Sequence, residues 1–256
     1  MRRFAELTWV ELDTLDRNKT TVLLPVGSVE QHGHHLPLGT DDLVLVEVLK
    51  QAESLQCELR QKNKANPSLQ EILCLPPLLY GNSHEHLNFP GTVSLSCRTL
   101  AFVIEDVISS LAMHGFKKLI IFNSHGGNTS LINAYAQEWE QRFGVAVFLL
   151  SLWSESFDME GDDSIFSSPA RSDIHAGERE TSLILHYRNE LVRKEKIDEL
   201  WSNDINFQPY YSGWQTENIS PGNGTLGQPH LATVEKGRSY ASFLAEKLIE
   251  LIEKII

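Results

Sequence analysis

The chain has 256 residues, of which 41% are hydrophobic and 22% are charged, an ordinary composition for a globular protein with a buried core. Its formal net charge of −12 disfavours nucleic acid and anionic membranes as partners, because both attract basic surfaces. The three cysteines have no C-x-x-C spacing, which favours free thiols in a reducing compartment. No apolar run approaches the length of a membrane span. We therefore expect one cytoplasmic domain over residues 1–256.

Strand-like and helix-like segments alternate along the chain. Apolar runs predict buried strands at residues 21–27, 71–78, 119–122 and 145–153. Helical spacing of apolar residues predicts helices at residues 41–56, 98–115, 129–144 and 233–256, and within 173–191. This alternation predicts an α/β fold of three layers, in which helices flank a mostly parallel sheet.

Segments dense in histidine and acidic residues follow several of these strands. VGSVEQHGHHLPLGTDD (26–42) comes after the first strand, and NSHGGN (123–128) comes after the third. In an α/β fold, the loops at the carboxyl ends of parallel strands converge on one edge of the sheet, where ligands bind. We therefore expect the polar side chains of these loops to form a single site.

The first of these loops carries a pattern typical of metal ligands. Glu30 and His32 are two residues apart, so an extended backbone would present both on one face. Asp41 comes nine residues after His32, beyond a segment that can turn the chain back. A glutamate, a histidine and a bridging aspartate could form half of a site for two zinc or manganese ions. Taken alone, the E-x-H pair would instead indicate an ordinary loop with a helix-capping glutamate.

His125 lies directly after the third predicted strand. Gly126 and Gly127 permit a close backbone approach or a positive φ that a bulky residue would not. The amides of this turn, at the start of the next helix, could also bind an anion. The segment is therefore either a ligand-bearing turn, with both glycines as substrate contacts, or a tight turn with an incidental histidine.

Two further segments are polar. In DIHAGERETS (173–182), His175 opens a predicted helix in which Glu178 and Glu180 follow. One helix face cannot carry all three side chains, so at least one glutamate is a solvated charge or an acid favoured by the helix dipole. SHEHLNFPGT (83–92) is interpreted as a structural loop or substrate contact. Together, the clusters at the strand ends predict a metal-dependent hydrolase.

Four segments also resemble, in order and spacing, the motifs of the creatininase (creatinine amidohydrolase) family. These are LPVGSVEQHGHHLPLGTDD (24–42), YGNSHEHLNFPGTVSL (80–95), NSHGGN (123–128) and HAGERETS (175–182). The resemblance runs from about residue 20 to residue 190. It implies an α/β fold with a metal pair at the carboxyl ends of the strands, commonly in a homohexamer. It further implies hydrolysis of cyclic or linear amide C–N bonds.

The resemblance also implies roles for individual residues. Matching motifs identify Glu30, His32, Asp41 and His125 as metal ligands, with Asp41 bridging, and His175 as the residue that carries a proton to the departing nitrogen.

One departure concerns the second metal. Creatininase itself has a metal-binding glutamate at the position of Gly127. Many family members have glycine there, and in those the glutamate of the E-T-S triplet, here Glu180, is the replacement ligand. This departure argues against creatinine itself as the substrate.

The predicted reaction is amide hydrolysis by a hydroxide that two divalent ions make available, with zinc as the expected metal and manganese or iron as alternatives. Other members of the family suggest a formamide deformylase of a pyrimidine nucleotide or a peptidase acting on a modified peptide. A non-catalytic metal-binding protein is the remaining alternative.

Arg171 and Arg179 are the nearest candidates to bind a phosphate, and Trp153 could stack on a planar substrate or be buried at a strand end. The aromatic segment 207–214 predicts an oligomer interface, a lid or simple packing.

Overall fold

The computed structural model describes residues 1–62, 71–154, 157, 164–197 and 213–256. The strands of these residues are β1 (Arg2–Arg3), β2 (Thr20–Val26), β3 (Glu71–Cys74), β4 (Lys118–Asn123) and β5 (Ala146–Ser151). They form one parallel sheet in the order β1-β3-β2-β4-β5. The predicted α/β fold with a parallel sheet is therefore confirmed. The short edge strand β1 was not predicted, because two arginines carry no apolar pattern.

The helices of the described residues are α1 (Trp9–Asp13), α2 (Thr40–Lys62), α3 (Cys97–Met113), α4 (Gly126–Phe143), α5 (Glu178–Tyr187), α6 (Thr216–Ile219) and α7 (Val234–Ile255). The glycines predicted to stop α3 and α4 do so: Gly115 and Gly144 follow these helices with φ of +84° and +65°. None of the described helices is long and apolar enough to cross a membrane.

Successive side chains of the strands fill two separate cores, because neighbouring residues of a strand face opposite sides of the sheet. Leu23 of β2 and Ile120 of β4 pack on the side of α2, α5 and α7. Val22 and Leu119 pack on the opposite side, with α3 and α4. The three predicted layers, helices, sheet and helices, follow from this alternation.

Several boundaries differ from the prediction: α2 continues to Lys62, beyond the predicted end at residue 56, and β3 ends at Cys74 instead of residue 78. Helix α4 begins at Gly126, inside the turn that follows β4. Helix α5 begins only at Glu178, so the expectation that His175 opens this helix is wrong. Ala176 adopts a left-handed conformation with φ of +52°, which an α-helix does not accept. His175 instead pairs with Leu226 in an isolated β-bridge.

The order of the strands creates a crevice at the carboxyl end of the sheet. From β2 the chain passes through α2 to β3 on one side, and then through α3 to β4 on the other side of β2. The helices that follow β2 and β4 also pack on opposite faces. In an open α/β sheet, such a switch point between neighbouring strands is where a ligand-binding crevice forms.

Candidate metal centre

The structure brings together, at this crevice, the six polar residues that the sequence singled out. All of them are at most 8% exposed. The residues are Glu30, His32, Asp41, His125, His175 and Glu180. These residues, together with His86, form three overlapping groups of three. In each group, one ligand atom of every residue lies within 4.8 Å of the ligand atoms of the other two. The loops after β2 and β4 and the segment before α5 therefore meet at one point.

Asp41 lies between two sets of ligands, to which it presents different oxygens. Its Oδ1 is 3.7 Å from Nε2 of His32, and that same nitrogen is 3.7 Å from Oε1 of Glu180. Its Oδ2 is 3.4 Å from Nδ1 of His125, which is also 3.3 Å from Oε2 of Glu30. The carboxylate of Asp41 is therefore placed as a bridging ligand would be.

The polar atoms at the centre of this cluster lack hydrogen-bond partners. Among the described residues, Oε2 of Glu30, Nε2 of His32 and Oδ2 of Asp41 are buried and receive or donate no hydrogen bond. Leaving such atoms unsatisfied in a protein interior costs about 1–3 kcal/mol each. Their convergence on shared points is the arrangement that a bound cation would satisfy, so these residues fit a metal pair.

The pKa shifts of the clustered side chains also favour a bound cation. Burial raises the pKa of Asp41 to about 6, and the charge of Glu30 adds to this effect. Burial opposes protonation of His125, but Glu30 and Asp41 outweigh it and raise the pKa of His125 to about 10. The pKa of His32 is likewise raised well above its ordinary value, because Glu180 and Asp41 outweigh burial. Three buried carboxylates thus demand positive charge, which metal ions supply in place of protons.

Hydrogen bonds to the protein backbone orient two of the histidine ligands. Nε2 of His125 donates to the carbonyl of Asn82 at 2.8 Å, so that Nδ1 faces Glu30 and Asp41 and would present its lone pair to a bound ion. Nδ1 of His32 donates to the carbonyl of Glu30 at 3.2 Å, which directs Nε2 toward the cluster. Partners of this kind commonly fix the tautomer of metal-binding histidines.

His86 lies in the segment interpreted as a structural loop or substrate contact, and it was not predicted to be a metal ligand; it is buried, with Nε2 3.4 Å from Oε1 of Glu30. Gln31 explains its tautomer. The amide of Gly33 donates to Oε1 of Gln31 at 2.9 Å, so the side-chain nitrogen of Gln31 donates to Nδ1 of His86 at 2.8 Å. Nε2 of His86 therefore carries the proton and faces Glu30 as a donor. Spacing in the sequence gave no sign of either contact.

His175 stands beside the same carboxylate. Its Nε2 donates to the carbonyl of Gln31 at 2.7 Å, and its Nδ1 lies 3.5 Å from Oε1 of Glu30. Burial lowers the pKa of His175 to about 4, with a further contribution from the charge of His32. The imidazole is therefore neutral at pH 7, with the lone pair of Nδ1 directed at the cluster.

The turn before α5 places Glu180 beside His32. The amide of Ala176, in the left-handed conformation described above, donates to Oε2 of Glu180, while Oε1 remains directed at His32. Glu178, two residues earlier, points elsewhere: its carboxylate accepts from the amides of Ser167 and Ser168 and pairs with Lys236. Of the two glutamates in this segment, Glu180 is the one that reaches the cluster.

A cavity of about 290 Å³ opens onto the cluster. The three predicted substrate contacts, Trp153, Gly126 and Gly127, line it. Trp153 is half-buried and donates its indole N–H to the carbonyl of Ser124. A Cβ on Gly127 would lie 2.3 Å from the carbonyl oxygen of Asn82, so only glycine fits there. The creatininase-like glutamate cannot occupy this position without a movement of the backbone.

Of the two candidates for phosphate binding, Arg179 is buried and already ion-paired. Arg179 lines the cavity, but it is 2% exposed and forms a 3.0 Å ion pair with Asp173. The side chain of Arg171 and residues 207–212 of the aromatic segment lie outside the described part of the chain. Trp214, at the end of that segment, lines the cavity.

A parallel sheet with a buried carboxylate–histidine cluster at its carboxyl edge is typical of a metal-dependent hydrolase. The creatininase family model (creatinine amidohydrolase) matches residues 5–252. The chain therefore belongs to the creatininase family and is a metal-dependent amidohydrolase, as its motifs predicted.

Relatives of different activity are similar to the chain over most of its length. It is 29% identical over 266 residues to creatinine amidohydrolase of Pseudomonas putida, covering 97% of this chain and 95% of that protein. It is 30% identical over 220 residues to mycofactocin precursor peptide peptidase of Mycolicibacterium smegmatis, covering 84% and 77%. A structure of creatininase with Mn superposes with a TM-score of 0.78 at 27% identity, covering 98% of this chain and 97% of that one.

Proposed function

We propose that the protein hydrolyses the C–N bond of a small cyclic or linear amide with the help of two divalent metal ions. The observation that carries this proposal is the convergence of unpartnered buried atoms from Glu30, His32 and Asp41. Zinc is the expected metal because histidine and carboxylate ligands suit it; manganese and iron are alternatives. A related creatininase structure contains Mn.

The geometry supports one set of ligands for each ion. Glu30, Asp41 and His125 would hold one ion. His32 and Glu180, which form a metal-capable group with His175, would hold the other together with Asp41, whose Oδ1 lies 3.7 Å from Nε2 of His32. Bound divalent ions polarise a carbonyl oxygen and lower the pKa of water, so that hydroxide is available near neutral pH.

His175 is the group that we assign to proton transfer. Its Nε2 proton is engaged by the carbonyl of Gln31, so Nδ1 is the atom that can take up and release a proton. Nδ1 of the neutral imidazole can first accept a proton from the attacking water. The resulting imidazolium then donates this proton to the departing nitrogen, which would otherwise be a poor leaving group.

A peptide amide is the second candidate substrate, because one relative is a precursor peptide peptidase. A phosphorylated nucleotide is less favoured, since the arginine of the cavity is already paired with Asp173. A non-catalytic role is disfavoured, because His175 lies beside the complete ligand set.

We further propose a cytoplasmic homo-oligomer, with a hexamer as the expected state. The three cysteines of the chain form no disulfide with one another, which is consistent with a reducing compartment. Large apolar side chains are exposed in the segment 79–93, which an interface would cover; these are Leu79, Tyr80, Leu87 and Val93. Light scattering on the purified protein tests the oligomer, and a monomer at micromolar concentration would contradict it.

The decisive experiment is elemental analysis of the purified protein and of the Asp41→Ala variant. We expect about two metal equivalents per chain, as in binuclear hydrolases, and one or none in the variant, with loss of amide hydrolysis. Asp13→Ala is the matched control, because Asp13 is exposed on α1 and should leave the metal content unchanged. Failure of the wild type to bind zinc, manganese or iron on reconstitution would disprove the proposal.

A further inference from the structure

One carboxylate in the cavity belongs to neither set of proposed metal ligands. Glu85 lies in a short 3₁₀ turn (His84–His86) and lines the same cavity as Trp153 and Gly127. It is absent from all three metal-capable groups of the described residues. Its side chain is 18% exposed, so it is reached from the cavity rather than sealed in the core.

The nearest basic group does not satisfy this carboxylate. Nε2 of His125 is 3.9 Å from Oε1 of Glu85, which is too far for a hydrogen bond. That nitrogen already donates to the carbonyl of Asn82 at 2.8 Å. Within the part of the chain that is described, no other Lys, Arg or His lies within ion-pair distance of Glu85. Its oxygens are therefore available to accept hydrogen bonds from a molecule in the cavity.

Gly127 creates the space into which this carboxylate projects. A Cβ at position 127 would lie 2.8 Å from Oε1 of Glu85, so a side chain there would displace the carboxylate. Position 127, in the turn after β4, thus has no side chain, and the carboxylate of Glu85 lies in the space that a side chain there would take. Glu85 occupies a place beside His125 that is close to the proposed metals without being part of them.

Among the described residues that line the cavity, no arginine or lysine is left without an ion-pair partner. Among its described lining residues, Arg179 is the only arginine or lysine, and it is paired with Asp173 at 3.0 Å. Among the described lining residues outside the proposed metal ligands, Glu85 is the acidic side chain without a basic group within hydrogen-bond distance. Two tryptophans, Trp153 and Trp214, line the same space, and aromatic rings also attract cations.

We propose that Glu85 selects the substrate: its carboxylate accepts hydrogen bonds from an N–H-bearing cationic group, so that amides with an ammonium or amidinium near the scissile bond bind in preference to neutral or anionic ones. This inference rests on the proposed function, because the proposed metal site defines where the scissile bond of the substrate lies. It adds a recognition group that faces the substrate and leaves metal binding to the other residues.

Binding of three acetamides to the zinc-loaded protein tests the proposal. N-(2-aminoethyl)acetamide, N-propylacetamide and N-acetyl-β-alanine have similar shapes and end in an ammonium, a methyl and a carboxylate. A hydrogen bond to a charged group corresponds to about tenfold or more in affinity. We therefore expect Glu85→Gln to weaken the ammonium probe by about that factor, to leave the methyl probe unchanged and to strengthen the carboxylate probe. Comparing each probe between wild type and variant removes any direct contact of a probe with zinc.

The controls separate this inference from the proposed function. Glu138→Gln makes the same change on the exposed face of α4 and should alter no probe. Loss of zinc from Glu85→Gln would make Glu85 a metal ligand and overturn the inference. So would an equal effect on all three probes, or failure of the ammonium probe to bind the wild type. Retained zinc and an altered probe preference without hydrolysis of any amide would support the role of Glu85 while the proposed reaction fails.

Discussion

Two glutamates at the start of α5 have opposite surroundings although both are buried and only two residues apart. The carboxylate of Glu178 accepts from the backbone amides of Ser167 and Ser168 and the hydroxyl of Ser168, and it pairs with Lys236. The carboxylate of Glu180 accepts one backbone amide, from Ala176, and turns its other oxygen to His32. Residues two apart on a helix point about 200° apart, so the side chains of Glu178 and Glu180 face different parts of the protein.

The difference separates a structural charge from a functional one. A buried carboxylate with a full set of donors stabilises the fold and has nothing left to bind. A buried carboxylate with a vacant acceptor, directed at other vacant acceptors and a histidine lone pair, is costly to the isolated chain and suited to a cation. Residue type and burial are alike at the two positions, so only the distribution of partners distinguishes them.

The largest effect that tests this contrast is expected from Glu180→Gln. The variant should bind about one metal equivalent in place of two and keep its melting temperature in the metal-free state. Its turnover should fall about a thousandfold, the scale of losing one preorganised electrostatic group. Glu178→Gln is the matched comparison: metal content should stay near that of the wild type while thermal stability falls. The reverse pattern in elemental analysis would assign the ligand to Glu178.

Removal of His175 should separate proton transfer from metal binding. Because we propose that His175 transfers a proton and is not itself a ligand, His175→Ala should lower turnover by about a hundredfold or more with nearly unchanged metal content. His114→Ala, at an exposed position after α3, should change neither. If zinc is lost together with activity in His175→Ala, His175 is a ligand.

The charge pair of Glu178 should contribute to stability without affecting metal. Lys236→Met leaves the carboxylate of Glu178 buried without its cationic partner, which should lower the free energy of unfolding by about 3 kcal/mol. The ammonium of Lys236 is partly exposed, so the effect is at the lower end of that range. Lys254→Met, also on α7 but in an exposed surface pair with Glu250, should leave the free energy of unfolding nearly unchanged. Equal effects in urea titrations would refute a special role for the buried pair.

The same pair should show a pH dependence of defined sign. Burial alone would raise the pKa of Glu178, but Lys236 and Ser168 outweigh it and hold the pKa below its ordinary value of 4.5. A lowered folded-state pKa gives stability that is present above the unfolded value and lost as pH falls through the folded one. The difference between wild type and Lys236→Met should therefore be constant near pH 7 and shrink below about pH 4.5. Urea unfolding of the metal-free proteins measures it, and a constant difference down to pH 3 would point to packing instead.

Most of the fold was predictable because strong local signals agreed with the tertiary structure. The apolar run of β2 and the glycines after α3 and α4 each specify a strand or a helix end by local chemistry. The start of α5 was mispredicted, because its helical pattern gives no sign of the left-handed conformation at Ala176. Strand β1 depends on pairing with β3, a long-range contact with no local pattern.

The site was predictable where its residues lie close to the ends of strands in the sequence. Glu30 and His125 lie in the segments that directly follow β2 and β4, and Asp41 lies in the first turn of α2, which the loop after β2 leads into; a parallel sheet brings these segments to one edge. His86 and Gln31 could not be assigned from sequence, because their roles depend on hydrogen bonds between segments far apart in the chain. The choice between Glu178 and Glu180 needed the same kind of information.

The cavity is assembled from two kinds of segment, and this has a consequence for how its specificity can change. Of the proposed ligands, Asp41 and Glu180 lie in the first turns of α2 and α5, His125 lies two residues after β4, and Glu30 and His32 lie in the loop after β2; a shift of these helices or of β4 would disturb the packing against the sheet. Glu85, Trp153 and Trp214 lie in the longer connections between these elements. Such connections tolerate substitution and insertion far better than the elements that they join. A lineage can therefore exchange the walls of the cavity and acquire a new substrate while inheriting the same reaction centre.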